Sequence, residues 1–104
     1  MKTTAQIISE QLMKWPDVVK QPHRFGGIEF RYKGKEIGHL HGSALVDISM
    51  PKALRDQFIA SGQAQVHHIY PSSNWISIYL KTEKDVNNAI EALRAKYEYL
   101  KKNS

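Results

Sequence analysis

The chain contains no cysteine. That excludes disulfides, thiolate metal sites and a cysteine nucleophile. Also missing is any apolar run near the roughly 20 residues that a membrane-spanning helix requires, so no membrane association is expected. After Met1 and Lys2 the chain runs Thr-Thr-Ala-Gln, without an extended apolar core or a cleavage signal, so no secretory leader is expected. These absences together predict a cytoplasmic protein. Internal repeats, linkers and low-complexity tracts are lacking too, and 104 residues are expected to form a single domain, 1–104. No Gly-x-Ser-x-Gly elbow, P-loop or dinucleotide fingerprint occurs. Ser43, Ser72, Ser73 and Ser77 are therefore hydroxyls that nothing ties to a base.

Acidic residues are in deficit, 10 against 15 Lys and Arg, which gives a net charge of +5 and a pI near 9.5. Such an excess attracts small anions and keeps nucleic acid open as a partner. Much of it sits at Lys96, Lys101 and Lys102, where cations complement a helix C-terminus, and this is read as a solvated helix end. What remains is ordinary globular material, 41% hydrophobic and 24% charged.

Periodicity orders that material. Residues 4 to 15 repeat Ile8, Leu12 and Trp15 at helical spacing behind Thr3 or Thr4 as a cap, with Pro16 ending the run. Asp17 to Gln21 reads as a short extended stretch. From Ile28 the pattern alternates: Ile28, Phe30 and Tyr32 on one face, Glu29, Arg31 and Lys33 on the other. Gly34 turns the chain into a strand from Lys35 to His41, and Gly42-Ser43 turns it again into Ala44 to Ile48. Met50-Pro51 opens a second helix with Leu54, Phe58 and Ile59 inward, and Gly62 caps it. Val66 to Tyr70 and Trp75 to Leu80 are predicted strands. Thr82, with Asp85 three residues on, starts a final helix whose buried stripe is Val86, Ile90, Leu93, Tyr97 and Leu100. The expected fold is α+β: an antiparallel sheet of five to six strands, with N-terminal, middle and C-terminal helices packed on one face.

The chemistry concentrates between Pro22 and Gly42, PHRFGGIEFRYKGKEIGHLHG. His39 and His41 are two apart on a strand and so share a face. Two aligned imidazoles are half of a metal site, with His67 or His68 and Glu29 or Asp47 as further ligands, suiting zinc, manganese or iron. The same pair can instead be an ordinary polar face of the sheet. Strand alternation places His67 and His68 on opposite faces, so at most one of them joins the cluster. Arg24, beside Phe25-Gly26-Gly27, can clamp a carboxylate or phosphate, or pair with Glu29, Glu36 or Asp47. Trp75, Ser77 and Tyr79 form the semi-polar side of their strand, opposite apolar Ile76, Ile78 and Leu80.

PHRFGGIEF, KEIGHLHG, MPKALRDQFIASG and HHIYPSSNWISIYL, in this order, resemble the small luciferase-family domain of uncharacterised proteins, from about Trp15 to Tyr97. The resemblance implies no light emission, since a flavin-dependent luciferase barrel takes about 250 residues. Val46 to Gly62, His68 to Trp75 and Ala89 to Tyr97 are also similar to MmcQ/YjbR-like proteins, which implies an α+β layout and a suggested DNA-binding role. The sequence is thus read as a binding protein whose pocket, lined by Arg24, His39, His41, His68 and Trp75, takes a small anionic or metal-linked ligand. A divalent metal would sit on His39 and His41. A nucleic-acid-binding domain and a small metal-dependent enzyme are the alternatives.

Overall fold

The computed structural model describes residues 1–23 and 26–104. Its elements are α1 (Thr4–Leu12), β1 (Val18–Pro22), β2 (Ile28–Tyr32), β3 (Lys35–His41), β4 (Leu45–Ser49), α2 (Lys52–Ala60), β5 (Gln65–Val66), β6 (Trp75–Tyr79) and α3 (Glu83–Lys102). The strands form one antiparallel sheet in the order β1-β2-β3-β4-β6-β5, and the expected α+β architecture is the one that forms. Among the described residues no helix is long and apolar enough to cross a membrane.

Local chemistry sets the element ends. Lys33 and Gly34 both have positive φ, 48° and 83°, as a two-residue turn joining twisted strands requires. Thr82 and Asp85 cap α3 reciprocally, the Thr82 hydroxyl accepting from the Asp85 amide and the Asp85 carboxylate accepting from the Thr82 amide. Thr3 and Gln6 do the same for α1. This helix is shorter than its sequence period predicts and stops at Leu12. The Lys14 and Trp15 amides bond the Gln11 and Leu12 carbonyls in a tightening turn ahead of Pro16. Trp15 is buried all the same, 5.2 Å from the ring of Tyr97, whose hydroxyl donates to the Pro16 carbonyl. Pro51 stands just outside α2 as its N-cap, and Gly62 follows the other end at φ +81°.

The helices share a core with one face of the sheet. Phe30, Leu40, Val46, Ile48, Ile76 and Ile78 pack with Ile8 and Leu12 of α1, Phe58 of α2, and Leu93 and Tyr97 of α3. Gly38 lies where α3 comes closest, and a Cβ there would stand 2.7 Å from Leu93 Cδ2 and 3.2 Å from both the Asp47 carbonyl oxygen and Ile48 Cγ1. Gly38→Ala is accordingly expected to lower stability by about 1–3 kcal/mol through overpacking. Urea unfolding measures this, and a neutral result would mean that α3 rides less tightly on β3.

Two sequence expectations need correction. Lys96 is not part of a solvated helix end: it falls on the inward stripe of α3 and is buried. Strand β5 does not run from Val66 to Tyr70 but ends at Val66. The Ile69 and Tyr70 amides both donate to His67 Nδ1, at 3.1 Å each, so they are spent locally, and Pro71 has no amide to offer. Separately, strict alternation fails in β3. Arg31 pairs with Glu36 and Phe30 with Gly38, which leaves Ile37 as the extra residue of a bulge. The bulge turns Glu36 onto the same face as His39, three residues along.

That face, away from the helices, carries a polar row in register across all six strands: Gln21, Glu29, His39, Asp47, Ser77 and Gln65.

Candidate metal centre

Asp47, in the middle of β4, is 1% exposed, and its carboxylate is the hub of the row. Ser77 Oγ donates to Oδ1 at 2.6 Å from the neighbouring strand. Around Oδ2 lie four imidazole Nε2 atoms: His41 at 2.9 Å, His68 at 3.2 Å, His67 at 3.3 Å and His39 at 3.6 Å. His23, just past β1, stacks its ring on His39 at 4.1 Å between centroids. Four of the five histidines of the chain therefore gather at one carboxylate, and the fifth stacks on one of them.

The elements explain the convergence. His39 and His41 project from β3 on the face they share, with rings 4.8 Å apart. Register places Asp47 opposite His39 and Ser77 opposite Asp47. His67 and His68 both reach Asp47 because the chain has left the sheet after Val66, so the expected separation of this pair onto opposite faces does not hold.

Hydrogen bonds assign roles to the rings. His39 Nδ1 lies 2.9 Å from Glu36 Oε2, which leaves Nε2 aimed at Asp47. Burial works to lower the His39 pKa, but hydrogen bonds to Asp47 and Glu36 outweigh it and push the value up to about 9. Burial likewise works to raise the Asp47 pKa, and hydrogen bonds from His39, Ser77 and His68 hold it well below the usual carboxylate range. His67 is different. Its Nδ1 is occupied as an acceptor for two backbone amides, so the neutral ring carries its proton on Nε2 and donates to Asp47. Burial lowers its pKa and keeps it neutral. His67 thus orients the carboxylate and has no Nε2 lone pair for a metal.

His39, His41 and Asp47 form one set of donors whose ligand atoms lie within 4.8 Å of one another, whereas His68 groups with Asp47 and His67 instead. Ligands bound to one zinc ion at about 2.0–2.2 Å stand about 3–3.5 Å from each other, and the imidazole-to-carboxylate distances of 2.9 and 3.6 Å for His41 and His39 bracket that spacing. The centre is closed on the His39 side and open on the other: the side chains of His41 and His68 are 36% and 31% exposed.

Of the residues singled out in the sequence, His39, His41, His68 and Trp75 come together, the Trp75 ring 5.4 Å from His39. Arg24 lies outside the described residues. Glu29 is engaged elsewhere, by Arg31 at 2.5 Å and Gln21 at 3.3 Å, so Asp47 is the carboxylate that meets the histidines. Sequence reasoning missed His23, the orienting role of Glu36 and that of His67. The chain's small number of histidines was a usable signal for His23; for Glu36 and His67 the bulge and the local amide bonds had to be seen.

The family model for the Luciferase domain matches residues 34–96, more than half of the chain. No curated protein and no solved structure matches it.

Proposed function

The chain belongs to the Luciferase domain family, and we propose that it binds one divalent transition metal ion through His39 and His41 Nε2 and the Asp47 carboxylate. The observation that carries this reading is that ligand atoms of these three residues lie within 4.8 Å of one another, both imidazole Nε2 atoms being within 3.6 Å of Asp47 Oδ2. Metal binding at His39 would displace the proton that Asp47 and Glu36 hold on its ring, so metal uptake and protonation compete there. Imidazole with a single carboxylate is a donor set for zinc, iron or manganese. Glu36 behind His39, and His67 and Ser77 behind Asp47, supply the outer hydrogen bonds that orient such ligands. The exposed side at His41 and His68 is where a small anion would complete the coordination, which joins the metal and anion expectations in one site.

The test is a titration of EDTA-treated protein with zinc, manganese and ferrous iron, followed by calorimetry and by the thermal midpoint. One equivalent per chain and a raised midpoint are expected. Glu36→Gln should weaken uptake about 10–100-fold as an outer partner, and His41→Ala should weaken it further. This half-exposed position keeps the fold standing while a donor is removed. No saturable uptake of any of the three ions would end the reading.

A further inference from the structure

A second site lies behind the metal centre, around the one lysine that the helix α3 turns inward. An open depression of about 470 Å³ is bounded by Lys35, Glu36, Trp75, Lys96, Tyr99 and the Ser49–Pro51 segment. It shares Glu36 and Trp75 with the centre, but its lining is otherwise separate. Lys96 is 8% exposed, and its ammonium group donates to the Ser49 carbonyl at the end of β4. Among the described residues no carboxylate lies within 4 Å of it. A structural buried lysine is normally paired with an acid. Here a backbone carbonyl takes the place of the acid.

We propose that Lys96 is a nucleophile and that this depression takes a small carbonyl compound carrying an anionic group, captured as an imine. Trp75, Met50 and Tyr99 offer apolar and aromatic surface to the body of such a molecule. Exposed Lys35 at the rim supplies the charge for its anionic group. Burial lowers the Lys96 pKa, opposed by attraction to Glu36, and so raises the share of neutral amine. In the reaction the nitrogen lone pair forms a bond to the carbonyl carbon as the C=O π pair moves to oxygen, which takes up a proton. The carbinolamine then loses the nitrogen proton and the hydroxyl as water, giving C=N. No oxidant or reductant enters, and solvent water carries the proton between nitrogen and oxygen.

The experiment uses 4-formylbenzoate with sodium cyanoborohydride at pH 7, EDTA present, and maps reductively trapped adducts by mass spectrometry over time. Lys96 is expected to be modified first, ahead of every surface lysine. In urea this preference should vanish. Lys96→Arg should remove the fast adduct. If that variant does not fold, the wild-type rate map in buffer and in urea decides alone. Labelling of Lys96 no faster than the surface lysines, or none at Lys96, overturns the proposal and leaves the metal reading untouched.

Discussion

Replacing Asp47 by alanine is expected to cost the metal-free protein about 3–5 kcal/mol, as breaking a buried charge network from one side does, and to abolish metal uptake. The carboxylate holds Ser77 and four imidazoles at once from a position that is 1% exposed. Without it the His39 imidazolium keeps only Glu36, and the Ser77 hydroxyl and the His67 Nε2–H lose their acceptor inside the protein. Ser77→Ala removes one donor and should cost only about 1 kcal/mol. Urea unfolding at pH 7 with EDTA compares the two. An Asp47→Ala loss no larger than that of Ser77→Ala would show that the carboxylate does not organise the cluster.

The same network is expected to make stability depend on pH in opposite senses on either side of neutrality. His39 has its folded pKa raised from 6.5 to about 9. The folded protein holds this proton more tightly than the unfolded chain does, so the contribution is full below pH 6.5 and is lost as pH rises through 9. Its size is about 3 kcal/mol. Asp47 and His67 both have lowered values. For each the unfolded chain binds protons more readily, so their contributions are present at higher pH and lost on acidification, His67 below 6.5 and Asp47 below 3.8. Metal-free protein should therefore be most stable near pH 6.5 and fall on both sides. Urea midpoints measured across pH 4–10 report this, with His39→Gln expected to flatten the alkaline limb. A wild-type alkaline limb already flat between pH 6.5 and 9.5 would contradict the network.

The fold was legible wherever one local signal dictated an element. Thr82 with Asp85, the turn at Gly34 and the inward stripe of Leu93, Tyr97 and Leu100 each required only neighbours in sequence. Half of the centre was legible for the same reason, because two-residue periodicity alone puts His39 beside His41. The rest depends on departures from regularity. Glu36 reaches His39 through an extra residue in β3, and His67 joins His68 because the strand gives out at Val66. Lys96 looked like one more cation near a helix end, when its place three residues after Leu93 already set it on the buried stripe. Periodic reasoning reads regular elements, and this centre is assembled where they break.

The short β5 has a consequence for the behaviour of many copies together. A sheet edge with a long row of unpaired amides and carbonyls invites another chain to add a strand, which is how fibrillar aggregates grow. Here one edge offers two strand residues and then turns away into Pro71, the Ile69 and Tyr70 amides consumed by His67. The opposite edge, β1, bears the exposed charge of Lys20 and ends at Pro22. The irregularity that brings His67 and His68 to Asp47 thus also blunts the sheet against self-association, so one local break serves both the interior and colloidal stability.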